Sequence, residues 1–129
     1  CLVVHDGKPY LFLEDCDLVT QFGSIAVLEL DEYGRWQKEA RLVLQRPYHL
    51  SYPFVFQYQG TWYMLPETSE NNTIEVYRCV EFPHRWELAA TLMKDVKAVD
   101  ATLLEHDNRW WLFVNLRENE GASTLDELF

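Results

Sequence analysis

His49-Leu-Ser-Tyr-Pro-Phe-Val-Phe-Gln-Tyr-Gln-Gly-Thr-Trp-Tyr-Met-Leu-Pro-Glu67 reads as two β-strands and the tight turn between them. Phe54, Phe56 and Tyr58 alternate with Val55 and Gln57, the period of two that places successive side chains on opposite faces of a strand. Gln59-Gly60 supplies the turn, since glycine adopts positive φ without steric cost. Thr61 to Leu65 runs back, rich in aromatic residues that suit a pleated surface. Pro66 lacks an amide donor, which predicts the strand's end there and leaves Glu67 just past its tip. An antiparallel hairpin brings its two ends together, so His49, Ser51 and Tyr52 are expected beside Glu67.

The same ribbon recurs on either side. Leu2-Val-Val-His-Asp-Gly7-Lys-Pro-Tyr10-Leu-Phe-Leu-Glu14 places Gly7, Tyr10 and Glu14 under Gly60, Tyr63 and Glu67 at a constant offset of 53. Asp100-Ala-Thr-Leu-Leu-Glu-His-Asp-Asn108-Arg-Trp-Trp111-Leu-Phe-Val-Asn115 places Asp100, Asn108 and Asn115 over Tyr52, Gly60 and Glu67 at an offset of 48. Between the hairpins, Ile25-Ala-Val-Leu-Glu-Leu-Asp-Glu-Tyr-Gly-Arg-Trp36 resembles Ile74-Glu-Val-Tyr-Arg-Cys-Val-Glu-Phe-Pro-His-Arg-Trp86. A repeat of about 50 residues holding four short strands is the pattern of a propeller blade. The repeats are read as about 1–48, 49–97 and 98–129, the last truncated. Trp36 to Leu44 is expected as an outer strand, and Leu125 to Phe129 as the start of another. Trp36, Trp86 and Trp110 are expected in the core between blades, and His5, His84 and His106 in solvent.

Composition narrows the function classes. The 129 residues include 11 Lys and Arg against 21 Asp and Glu, a formal charge of −10, which argues against tracking nucleic-acid phosphates. No apolar run approaches the roughly 20 residues that span a bilayer, so no membrane contact is expected from this segment. Cys1, Cys16 and Cys79 have neither disulfide-framework nor zinc-site spacing. No metal or cofactor is implied.

In a propeller, the channel-facing ends of the inner strands meet in a central funnel. The alignment puts Tyr52 and Asp100 at strand starts there and Glu14, Glu67 and Asn115 at strand finishes. Two carboxylates flanking a sugar are what glycoside hydrolysis uses, which selects Glu67 and Asp100 as the catalytic pair and Glu14 as a third acid. His49 would orient a carboxylate or bind a hydroxyl, while Tyr52 and Trp62 offer apolar faces to a sugar ring. Structural alternatives stand beside each assignment. Glu14 also fits a solvated strand end, Glu67 a loop cap, and His49 with Ser51 a structural network at the junction of repeats.

His-Leu-Ser-Tyr-Pro-Phe-Val-Phe (49–56), Trp-Tyr-Met-Leu-Pro-Glu (62–67) and Tyr-Leu-Phe-Leu-Glu-Asp (10–15) resemble a known family. They are similar to the propeller at the N-terminus of plant glucosamine inositolphosphorylceramide transferases. Bacterial relatives carry it attached to formyltransferase or glycosyltransferase modules. That domain is similar in turn to the five-bladed propellers of family 43 glycoside hydrolases. The resemblance implies an all-β fold, here a fragment of about two and a half blades of a five-bladed propeller. It also implies a carbohydrate or glycoconjugate partner. Asp100 takes the place of an inner-strand aspartate of the hydrolases, and Tyr52 stands where they commonly carry another. Two functions follow: a glycan-processing, family 43-like domain, or a non-catalytic module that positions a sugar or partner for an attached catalytic domain. In either case the remainder of the propeller is expected as a partner.

Overall fold

The computed structural model describes residues 1–36, 38–117 and 129. It is all-β, and every sheet is antiparallel. The first sheet has the order β1 (Leu2–His5), β2 (Lys8–Asp17), β3 (Phe22–Glu29), β4 (Arg41–Leu44). The second repeats it with β5 (Ser51–Tyr58), β6 (Thr61–Thr68), β7 (Thr73–Glu81) and β8 (Arg85–Lys94). A third hairpin pairs β9 (Ala98–His106) with β10 (Arg109–Leu116). No α-helix occurs among the described residues, and a short 3-10 turn, Ser69–Asn71, links β6 to β7. Of the tail strand expected over 125–129, only Phe129 lies within the described residues. It exchanges two backbone hydrogen bonds with Val114.

The three hairpins close with the same device. Asp6-Gly7, Gln59-Gly60 and Asp107-Asn108 all have positive φ at both positions, as a two-residue turn matched to strand twist demands. Asn108 replaces glycine in the third because asparagine tolerates the left-handed region better than most residues.

Alternation decides what each sheet packs against. Val55, Met64 and Tyr77 of the second sheet join Phe12, Ile25 and Val27 of the first in one core. Their neighbours Phe54, Leu65 and Val76 point the other way, against Ala101, Leu103 and Val114 of the third hairpin. The middle sheet is thus apolar on both faces, which is why its strands read as nearly continuous hydrophobic runs.

Several expectations are corrected. β6 does not stop at Pro66 but runs through Glu67 to Thr68. On the β5 side Ser51 pairs with Glu67 and Phe54 with Leu65, so Tyr52 and Pro53 together oppose Pro66 across a bulge. A proline at that irregular position gives up no regular ladder bond. The strand expected from Trp36 shrinks to Arg41–Leu44, and Trp36 makes an isolated bridge to Leu30 with 70% of its surface exposed. Trp110 is 41% exposed but packs on Phe56 and Tyr58 of the second sheet, and Trp86 is buried as expected and donates to the Pro83 carbonyl at 2.8 Å. His5 is not simply solvated: it packs on Phe82 at 4.2 Å between ring centroids.

Candidate functional site

The ends of β2, β5, β6 and β9 come together at one pole. Pairing of Ser51 with Glu67 joins the start of β5 to the finish of β6, and β9 packs beside β6. His49 stands on the connector that leads into β5, and its Nε2 lies 3.2 Å from Oε1 of Glu14 on β2. The Gly23 amide donates to His49 Nδ1 at 3.0 Å. With Nδ1 accepting the Gly23 amide, the ring carries its proton on Nε2, which donates to Glu14; the Gln21 carbonyl also lies 3.2 Å from Nδ1. The His49 amide donates to the Glu70 carboxylate in the 3-10 turn.

Glu67 belongs to the same neighbourhood. Its Oε2 accepts a long hydrogen bond, 3.4 Å, from the Asp100 amide. Burial pushes its carboxyl above the ordinary glutamate range. The Asp100 amide opposes that shift, the Asp100 charge adds to it, His49 opposes it and Glu14 adds to it. Asp100, His49 and Glu14 are thus each near enough to act on the Glu67 carboxyl electrostatically. Tyr52 reaches across to β9, its hydroxyl 3.3 Å from Thr102 Oγ1.

Tyr52 and Asp100, matched by the repeat, occupy matched bulges. Asp100 and Ala101 oppose Val114 as Tyr52 and Pro53 oppose Pro66. Both bulged residues have positive φ, 40° and 55°. For tyrosine before proline this conformation is strained, because that position is normally extended. A bulge re-aims a side chain that would otherwise alternate with its neighbours, and such devices concentrate beside functional sites.

Trp62 is not part of the cluster. It sits next to the hairpin turn, five residues before Glu67, which at about 3.3 Å per residue is the other end of the strand. Its Nε1–H donates to His5 Nδ1 at 3.1 Å and its ring tilts over Phe82 at 5.2 Å, so it packs between the first two sheets.

Sequence reasoning missed Gly23, Glu70 and Thr102. Gly23 is decisive because a Cβ there would lie 2.5 Å from the Leu50 carbonyl oxygen, 2.7 Å from His49 Cε1 and 2.9 Å from Glu14 Oε1. Gly23→Ala is accordingly expected to force His49 and Glu14 apart and to destabilise this region by roughly 1–3 kcal/mol, as overpacking does. Melting temperature and the chemical reactivity of His49 check this; an unchanged pair would mean that the connector yields freely.

Concave surfaces lie elsewhere on the molecule, two of them lined by charged and polar side chains such as Lys8, Glu29 and Glu32 in one and Asp15, Asp17 and Gln45 in the other. An open, mainly apolar groove of about 440 Å³ between the second sheet and the third hairpin is lined by Phe56, Tyr63, Leu103, Trp110 and Leu112 among others. No cluster of three or more potential metal ligands occurs among the described residues.

Comparison with known proteins agrees with the resemblance of the motifs. The family model described as "Glucosamine inositolphosphorylceramide transferase 1, N-terminal" matches residues 1–128. Relatives named glucosamine inositolphosphorylceramide transferase 1 include one from rice (Oryza sativa), 36% identical over 128 residues. Another, from Arabidopsis thaliana, is 33% identical over 127 residues. The alignments cover 98% of this chain but only 17% and 16% of those relatives. The chain belongs to the family defined by the N-terminal region of glucosamine inositolphosphorylceramide transferase 1.

Proposed function

We propose that this chain forms part of a five-bladed β-propeller and acts as a carbohydrate-recognition module of a larger glycosyltransferase, whose catalysis resides in another domain. Two four-stranded meanders followed by a third hairpin support the propeller reading, since that order is what successive blades require. The 16–17% coverage of transferase-named relatives supports an attached catalytic domain. The observation that carries the site is the convergence of Glu14, His49, Glu67 and Asp100, with Tyr52 alongside, from the ends of separate sheets.

The electrostatics favour one ligand class. Glu14, Glu67, Glu70 and Asp100 crowd one pole, and none of the described ion pairs joins them to Lys or Arg. A phosphate would be repelled there. Carboxylates accept hydrogen bonds from hydroxyl and ammonium groups, so a neutral or amino sugar fits. The glucosamine in the relatives' name is such a sugar.

The hydrolase reading, with Glu67 and Asp100 as acid and base, draws on the raised Glu67 carboxyl beside Asp100. It is the weaker of the two, because the relatives are named for transfer. Calorimetric titration of the full-length protein with glucosamine discriminates. Asp100→Asn and His49→Ala should each weaken binding by about tenfold or more, in the range of hydrogen bonds to charged groups, and should spare maximal transferase turnover. Release of aryl glycosides by the wild type, abolished in Asp100→Asn, would instead establish the hydrolase. Unchanged binding in both variants would remove the sugar site from this pole.

A further inference from the structure

We propose that Glu75 is a positioning residue for His49, acting through a buried polar network that fixes both chain segments flanking the imidazole. The proposal rests on reading His49 as part of the sugar site.

Glu75 lies on β7 and is 4% exposed, yet every hydrogen-bonding direction of its carboxylate is used. It accepts from the hydroxyl of Tyr48 at 2.8 Å, from Tyr77, from Asn71 Nδ2 at 3.1 Å and from Thr73 Oγ1 at 3.0 Å. Arg46 Nε donates to the Tyr77 hydroxyl at 2.9 Å, and the guanidinium lies over that ring, bringing a positive charge to the network. Thr73 and Tyr77 lie on β7 itself, and the other partners come from two further segments. Arg46 and Tyr48 belong to the connector that carries His49, and Asn71 closes the 3-10 turn whose Glu70 accepts the His49 amide. Glu75 thus grips the residue before His49 and the turn that holds its backbone. The next residue, Leu50, is tied to the Gly23 carbonyl at 2.9 Å, beside the amide that holds the ring.

The repeat indicates that packing alone does not call for a carboxylate here. Ile74-Glu75-Val76 aligns with Ile25-Ala26-Val27, and Ala26 is fully buried without any such network. Burying a carboxylate is costly unless it is fully bonded. The second repeat therefore carries an expensive polar device that the first lacks, and the device ends on the residue before His49 and on the turn that accepts the His49 amide.

The test uses the full-length protein with glucosamine as probe. Glu75→Gln keeps the size of the side chain but replaces an acceptor-only group. Tyr48→Phe removes one hydrogen bond with little change in packing, and serves if Glu75→Gln fails to fold. Modification of His49 by diethylpyrocarbonate, followed by peptide mass spectrometry, reads the imidazole directly. His5, packed against Phe82, is the internal reference. The expected result is a several-fold faster reaction at His49 with His5 unchanged. Glucosamine binding should weaken about tenfold, and combination with His49→Ala should be no worse than His49→Ala alone, the non-additivity of coupled residues. Unchanged His49 reactivity with a lowered melting temperature would make Glu75 a stability element only and overturn the proposal, as would additive effects on binding. If His49→Ala leaves glucosamine binding intact, the sugar reading fails, and the reactivity arm still decides the positioning role.

Discussion

Glu67→Gln in the full-length protein is expected to weaken sugar affinity by roughly 1–3 kcal/mol, the value of a hydrogen bond to a charged group, with little effect on turnover at saturation. The substitution keeps shape and removes the ionisable group, so it separates the two chemical roles open to this carboxyl. A recognition carboxylate loses binding. An acid catalyst instead loses about two orders of magnitude or more in turnover while binding persists. The pH profile adds a second criterion. Because burial holds the Glu67 carboxyl above the ordinary range, the ionised form disappears at a higher pH than for a solvated glutamate. Binding that depends on the carboxylate should fall off correspondingly early on acidification, and Glu67→Gln should abolish that limb. Paired calorimetry and turnover measurements across pH decide among these outcomes. If neither quantity changes, Glu67 plays no part in recognition or chemistry.

Glu75→Ala is expected to have the largest effect on stability, about 3–5 kcal/mol, as when one partner is removed from a buried charged network. It removes the acceptor of the Tyr48 and Tyr77 hydroxyls and of the Asn71 amide, and takes away a carboxylate charge that acts on Arg46. The sign with pH is defined. Burial alone would raise the Glu75 carboxyl, but donors from Tyr77, Tyr48, Thr73 and Asn71 outweigh it and hold the carboxyl below the ordinary range. A depressed folded-state value means that this stabilisation is fully present above the unfolded value, near 4.3, and is lost as pH falls through the lower folded value. Glu67, shifted upward, contributes in the opposite sense: its share is present below the unfolded value and lost as pH rises through the folded one. Burial and the bond to Glu75 also raise the Tyr77 phenol, so it remains a donor across this range. Hydrogen exchange of peptides covering 46–50 and 69–77 in the intact protein should show wild-type protection collapsing in acid. Glu75→Ala should be poorly protected throughout, with little further slope. An identical acid slope in the variant would assign the acid-labile element to another group.

The sequence by itself determined the sheets. Alternation in 54–58, the turn pairs at Gly7, Gly60 and Asn108, and the offsets of 53 and 48 are local or periodic signals, so they locate strands without knowledge of tertiary neighbours. The placing of Ser51 beside Glu67 was legible for the same reason, because the two ends of one hairpin must meet, whereas the approach of Glu14 and Asp100, from other hairpins, depends on how the sheets pack. Tertiary structure alone decided how those residues are held. Pro66 continues a strand because it falls opposite a bulge, and that bulge exists only once β5 and β6 are paired. Trp62 leaves the site because the same pairing puts it at the far end of the ribbon, against His5 and Phe82. Gly23 looks like an ordinary loop glycine until His49, Glu14 and the Leu50 carbonyl close around it. Glu75 carries no signal of its own in the strand that holds it. Its burial becomes tolerable only when Tyr48, Asn71, Thr73 and Tyr77 supply four donors from three separate segments, a condition that no local pattern encodes.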